Sequence, residues 1–575
     1  MPLKHRNLLL VAGVGSTVLA CAFCAVVAWL ALVVESQGAS GMPLAPIREL
    51  RTDGEPDGAA APATAADGMT PGGPQPGGSL YVPGGEPDTL DPALVRDLVS
   101  AEYVYEIFSG LVTLGPDLEV VPDLASEWDV SPDGTVYTFT LRSDALFHDG
   151  TPVTAHDVAY GIERSCDPRT GSAVAASYLG DIVGCTDKLE GQATSVAGVQ
   201  VPDDRHVVIT IDAPKAYFLS KLTYPTSFAV DRRQTEAGTD WWRDSNGTGP
   251  FKLSELVDGD RLVLERHPYA GAGAPWLDEV HYDLRPIAAL TRYENGELDA
   301  APVGAADAER VKDPLNPLSS EVAVGPGGLS VTYVGFNTQA EPFDDVHVRR
   351  AFNYALDRDR LTEIVLLGAV TPVESILPPG MPGHTPGISP YDFDPAAARV
   401  ELAASRYGSS DALPPITLSV SGEGGGAPVA EAVADFIGES LGVAISVEQT
   451  PWMTFQSDLA DGDYQAFILG WAADYPDPQD FLDVLLHSDS DLNNTRFSDP
   501  EVDRLLEAAR VEPDEQRRME LYREAERIAL EGAPWIPLFA PAETWVVAPY
   551  VHGFELPAIV RPRMADVWLA IDDEP

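Results

Sequence analysis

The segment GWAADYPDPQDFL, residues 470–482, constrains this chain more than any other stretch. An apolar run at 466–469 leads into it as a buried strand would, and Pro476 and Pro478 then deny the chain a helix. The segment is therefore expected to be a fixed loop just past a strand end, where α/β sheets open onto their ligand crevices. Of its three aspartates it places one, Asp474, after Gly470 and between the rings of Trp471 and Tyr475. A pocket for a cationic head group needs that combination; a solvated loop with its aromatics tucked into the core would look the same at this level.

Charge and compartment narrow the partners. With 37 basic and 89 acidic residues the formal net charge is −52, which repels phosphate backbones and anionic lipid, so nucleic acid is not expected as a partner. Dispersed acidity solvates a surface and does not by itself make the ligand cationic. Residues 8–34 carry no charge, follow Lys4, His5 and Arg6, and precede Glu35, so everything after Glu35 is expected to be exported. The run is long enough for a spanning helix of ~20 residues and too long for a signal-peptide core of ~7 to 15. A signal anchor over residues 1–35 is the first reading. The second is a lipoprotein acylated on Cys21 of the VLAC sequence, although the apolar run continues well past that cysteine. Cys166 and Cys185 lie in the exported part, where a disulfide between them would close a short loop and stabilise by roughly 3 kcal/mol on the chain-entropy account. No metal site and no cofactor is expected, because no CxxC lies outside the membrane run and the ten histidines show no HxxxH or HExxH spacing.

Length and pattern give the organisation. At 575 residues the chain exceeds one core, and ~100 to 200 residues per domain allows about three or four units. Residues 36–79, rich in Gly, Pro and Ala, read as a flexible spacer. The first folded part is rich in hairpin signals: 127–130 with 135–141 around Ser131-Pro132-Asp133-Gly134, 200–201 with 207–211 around Asp203-Asp204, and 251–257 with 261–265 around Asp258-Gly259. Thr154 and Asp157 make a capping-box-like start for a helix reaching Arg164. The later part alternates: 345–367 has near-helical apolar spacing, 416–420, 429–441 and 443–447 look like a βαβ unit, 467–471 is a further strand, and 500–509 and 514–530 are helices. An antiparallel-rich part and a βαβ part in one chain imply two lobes with a cleft between them.

Five collinear segments, DGTPVTAHD (149–157), GTGPF (247–251), FDDVHVRRAFNYALDRDRL (343–361), ILPPGMPG (376–383) and GWAADYPDPQDFL, closely resemble the substrate-binding proteins of bacterial peptide ABC importers, the oligopeptide-binding branch of family 5 solute-binding proteins above all. The resemblance runs from about Leu80 to the C-terminus. It implies an α/β, two-lobed periplasmic-binding-protein fold with an additional inserted domain, behind the N-terminal membrane segment. The implied parts are a first lobe of 80–108, 232–329 and 546–575, an inserted domain of 109–231 and a second lobe of 330–545, with hinge crossings near 330–333 and 545–547. The implied function is a monomeric binding receptor that closes on a peptide ligand and hands it to ABC permease subunits. In that branch the aspartate at the position of Asp474 receives the peptide's α-ammonium. Trp471 and Trp452 match positions that line side-chain pockets, and Tyr333, Phe336 and Asn337 lie on the strand resembling the one that pairs with the peptide backbone. Where the branch carries a lysine and an arginine this chain has Ala340-Glu341 and Ile468, so the positive groups for a peptide's C-terminal carboxylate are missing there.

Other functions read less well. A carboxylate-pair hydrolase would need Asp474 and Asp477 to work together from one rigid loop, and there is no GxSxG for serine chemistry. A ligand-sensing receptor, or a binder of nickel, haem or sugar, would use the same fold; only the surroundings of Asp474 favour peptide.

Overall fold

The computed structural model describes residues 73–570 apart from 270–273, 286–287, 326, 423–426, 491, 557 and 561–562. The anchor, the spacer up to residue 72, Cys21 and the last five residues lie outside the described residues. No helix among the described residues is long and apolar enough to cross a membrane.

The first described contacts come slightly before Leu80. Gly77 N–H donates to the Trp276 carbonyl at 2.8 Å, and the strand Ser79–Pro83 runs parallel to Glu279–Asp283. These two join Arg261–Arg266 and Phe251–Val257 in a four-stranded sheet. Its apolar face packs Leu80, Val82, Leu264 and Tyr282 against the helix Leu98–Ile107, and the C-terminal residues Val546, Met564 and Val567 return to the same core. The GTGPF segment belongs here as a close approach of backbones. A Cβ on Gly247 would lie 2.0 Å from the Ile107 carbonyl oxygen, so only glycine fits.

A second core is built from residues 111–229 together with Tyr475. The strands Ala125–Val130, Val136–Leu141, His206–Thr210 and Val199–Asp203 form an antiparallel sheet in that order. The helix Ala155–Ser165 covers it, opened by the reciprocal Thr154/Asp157 capping box. Cys166 at the end of that helix is disulfide-bonded to Cys185, with 5.4 Å between their Cα atoms. This core is tied to the first by Arg164, whose guanidinium grips Asp91 at 2.7 and 2.5 Å, while Trp241 Nε1–H donates to the same carboxylate at 3.1 Å.

The remaining lobe centres on a six-stranded mixed sheet in the order Val370–Pro372, Trp535–Pro541, Ser330–Phe336, Ala466–Ala472, Ile416–Ser421, Ile445–Thr450. Ile416–Ser421 and Ile445–Thr450 are parallel and joined by the helix Pro428–Leu441, the βαβ unit expected from the pattern. Helical spacing over 345–367 does not give one helix. Val346–Ala355 ends at an extended Leu356, and a short turn follows over Arg358–Arg360. The arginines of this motif are structural anchors. Buried Arg349 donates to the Gly532 and Phe343 carbonyls, and buried Arg358 to the Pro537 carbonyl. Burial pulls both guanidinium pKa values down to about 10. Helices Pro500–Arg510 and Glu515–Gly532 close the other face, and buried Glu526 receives the Ile376 and Leu377 N–H groups at 2.9 Å each. That contact fixes the ILPPGMPG segment, whose Gly383 lies against Pro478.

Thr544–Val547 pairs with Ala300–Pro302 and Val322–Val324 in a small sheet, whereas Ser330–Phe336 and Trp535–Pro541 belong to the large one. The chain thus passes between the two sheets after Val324 and after Pro541, beside the strands Ser330–Phe336 and Thr544–Val547.

Candidate functional site

The strand Ala466–Ala472 ends at the lobe boundary, and Ala473 N–H donates to the Leu329 carbonyl at 2.7 Å, which sets the direction of the loop. The loop is shorter than the two prolines imply. Pro478 serves as the N-cap of a helix, Gln479–Leu486, rather than extending the turn, because a fixed φ suits the start of a helix as well as it breaks the middle.

Four carboxylates of this segment divide into two kinds. Asp477 is ion-paired with buried Arg518, and Asp483 takes Arg510 in a fork at 2.6 and 2.6 Å. Asp474 and Asp480 have no such partner among the described residues. Asp480 Oδ2 accepts from Trp471 Nε1–H at 3.2 Å and from the Asp474 backbone N–H at 3.0 Å. The Asp474 carboxylate receives the Tyr178 hydroxyl and keeps part of its surface open. Burial pushes Asp474 up to about 7, and burial together with the Asp474 charge pushes Asp480 higher than an ordinary carboxylate.

The rings around this pair come from both sides. Trp471 and Tyr475 stand on the loop itself, with the Tyr475 hydroxyl bonded to Gln479. Tyr178, from the helix Ala175–Leu179, meets Tyr475 edge-on at 6.4 Å and stacks on Tyr224 at 3.6 Å. Tyr105, on the helix Leu98–Ile107, also feels the Asp474 charge, as does Tyr224, whose hydroxyl donates to the Val95 carbonyl at 3.3 Å. Carboxylates of one lobe therefore face tyrosines of the other. Asp480, Tyr178, Tyr224 and Tyr105 were not foreseen. The tyrosines stand some 250 to 370 residues before the loop, and no local pattern links them to it.

Three expected site residues are placed elsewhere. Tyr333 and Phe336 are each 1 % exposed; Tyr333 stacks on Trp535 at 3.6 Å, and Phe336 packs between Phe343 and Phe352. Their strand is hydrogen-bonded to Ala466–Ala472 on one side and to Trp535–Pro541 on the other. It has no free edge on which a peptide backbone could pair, which corrects the expectation for both residues. Asn337, just beyond it, is buried and committed to a turn: its amide donates to the Gly462 carbonyl at 2.9 Å and its side-chain oxygen accepts from Gln339 N–H. Gly470 sits inside the ladder opposite Thr332. Trp452 opens the helix Trp452–Asp461, is half-buried and stacks on Phe455 at 6.0 Å. Ile468, where the branch has arginine, is buried in the sheet's core, and Glu341 is bound at the surface by Arg406.

At the junction of the cores lies a hollow of about 540 Å³, lined among others by Leu118, Val324, Leu329, Gly380 and Leu556, with Asp117 and Glu555 at its wall and no basic residue.

Known proteins share this architecture. The family model for the bacterial extracellular solute-binding proteins, family 5, matches residues 119–493. This chain belongs to that family. Among family 5 relatives, the periplasmic oligopeptide-binding protein OppA of Salmonella typhimurium is 31 % identical over 490 residues, covering 82 % of this chain and 88 % of its own. The periplasmic murein peptide-binding protein MppA of Escherichia coli is 30 % identical over 485 residues, covering 82 % and 89 %. The unliganded open form of the murein tripeptide-binding protein MppA superposes with a TM-score of 0.73 at 28 % identity, over 86 % of this chain and 97 % of that one. The family fold, two α/β lobes around a cleft, is the fold of this protein.

Proposed function

We propose that this family 5 protein is the extracytoplasmic receptor of an ABC importer, which binds peptides in the cleft and delivers them to permease subunits without catalysing a reaction. The observation that carries the reading is the tyrosine-walled carboxylate Asp474, half-buried and without a cation among the described residues. A desolvated carboxylate in that state is stabilised by an incoming ammonium, and a peptide offers one at its N-terminus. The oligopeptide and murein-peptide names of the relatives point to the same ligand class. Asp477 is not free to act with Asp474 in hydrolysis, since Arg518 occupies it.

In this reading 80–108, 232–329 and 546–575 form one lobe, 109–231 an inserted domain tied to it through Asp91 and Arg164, and 330–545 the other lobe. The Asp474 loop already lies against Tyr178 and its neighbours Tyr105 and Tyr224, and ligand entry requires that contact to open. The receptor works as a monomer, held to the outer face of the cell membrane by residues 1–35, as a spanning anchor or through lipid on Cys21.

Native mass spectrometry of the purified protein identifies the ligand that travels with it, and isothermal titration then tests the contact. Asp474→Ala is expected to weaken binding of a free peptide by two to three orders of magnitude or so, as for removal of one partner of a buried pair at ~3 to 5 kcal/mol. N-acetylation of the peptide should cost a comparable amount in the wild type and little more in the variant. Wild-type affinity that is indifferent to acetylation would sink the ammonium assignment.

A further inference from the structure

An ammonium acceptor at Asp474 leaves its neighbour unexplained. Asp480 is held beside it by the Asp474 backbone N–H and by Trp471 Nε1–H, both on Oδ2. The groups facing the pair are known from each side. The loop and its helix supply Trp471, Tyr475 and Asp477; the helix Leu98–Ile107 supplies Tyr105; Tyr178 and Tyr224 come from the inserted part, with Asp97 beyond Tyr224. Arg518 is spent on Asp477, and no lysine, arginine or histidine pairs with Asp474 or Asp480 among the described residues. Two adjacent carboxylates, Asp480 buried and Asp474 half-buried, do not both stay charged without a cation, since both lose hydration and the Asp474 charge repels that of Asp480. Building on the reading of Asp474 as the ammonium acceptor, we propose that the unliganded receptor holds a proton on the Asp474–Asp480 pair and exchanges it for the ligand's ammonium, so that capture releases one proton and weakens as the medium acidifies.

The exchange balances. The carboxyl O–H bond breaks and its proton passes to solvent, the resulting carboxylate accepts from the ammonium N–H, and the site gains one positive charge as it loses another. Burial, which pushes Asp474 up to about 7, places the exchange where a cell's surroundings vary. The two carboxyls titrate as one coupled unit, and burial together with the Asp474 charge holds Asp480 well above the ordinary carboxylate range.

Two measurements on the full chain decide the matter. The first titrates wild type and the Asp474→Asn, Asp480→Asn double variant potentiometrically from pH 8 to pH 5. The wild type is expected to take up about one proton more, and identical curves overturn the proposal. The second titrates tetra-alanine calorimetrically at pH 6 in buffers of different ionisation heat. Close to one proton released, with affinity falling about tenfold per pH unit below 7, is the expected result. If N-acetyl-tetra-alanine binds more weakly yet free tetra-alanine releases no proton, the exchange is wrong and the ammonium reading stands. If acetylation changes nothing, the ammonium reading fails first and the exchange falls with it.

Discussion

Within ten residues this protein buries carboxylates in two opposite ways. Asp477 and Asp483 are neutralised from within by Arg518 and Arg510, both on the two long helices behind the loop. Asp474 and Asp480, close by in the same segment, meet only hydroxyls, an indole and a backbone N–H. The first kind holds the loop to its lobe at all times. The second leaves two carboxylates without a cation among the described residues. Acidity in this segment is therefore not one property: pairing distinguishes a brace from an unneutralised pair.

The largest effect should come from breaking the brace. Arg518→Ala strands Asp477, which is 7 % exposed, and is expected to destabilise the fold by roughly 3 to 5 kcal/mol in denaturant unfolding. A loss below about 1 kcal/mol would mean that the two kinds of carboxylate do not differ as described.

Asp474→Asn should do the reverse, in a pH-dependent way. The folded pKa of about 7 lies above the unfolded value of about 3.9, so the folded state binds the extra proton. The stability this confers is fully present below the unfolded pKa and is lost as pH rises through 7. The variant should therefore melt above the wild type at pH 8, by an amount equivalent to roughly 1 to 3 kcal/mol, with the gap closing toward pH 5. Parallel melting curves across that range would place the Asp474 charge in water.

The smallest effect concerns the other end of a peptide. With Ile468 buried in the sheet and Glu341 engaged by Arg406, no cation stands where the oligopeptide branch has its lysine and arginine. Amidating the C-terminus of a bound peptide is expected to change Kd less than about threefold by calorimetry, under 1 kcal/mol. A tenfold loss would reveal a cation elsewhere in the cleft.

Much of the fold and part of the site were legible in the chain. Asp-Gly turns between β-rich runs, the Thr154/Asp157 box and the βαβ pattern around 428–441 are local, and they formed as read. Asp474 stood out for the same reason, flanked by rings in its own segment. What misled was the status of a strand. Tyr333 and Phe336 lie in a sequence that reads equally well as edge or centre, and only pairing on both sides by 466–472 and 535–541 made it a core strand.

The sequence by itself determined the elements, their order and the one unusual loop, because φ limits, side-chain periodicity and turn chemistry act between neighbours along the chain. Only the tertiary structure decided which aspartates in that loop are spent and which are free. Arg518 comes from 41 residues away and Tyr178 from nearly 300, and whether a buried charge meets a guanidinium or a tyrosine depends on which distant surfaces pack over it.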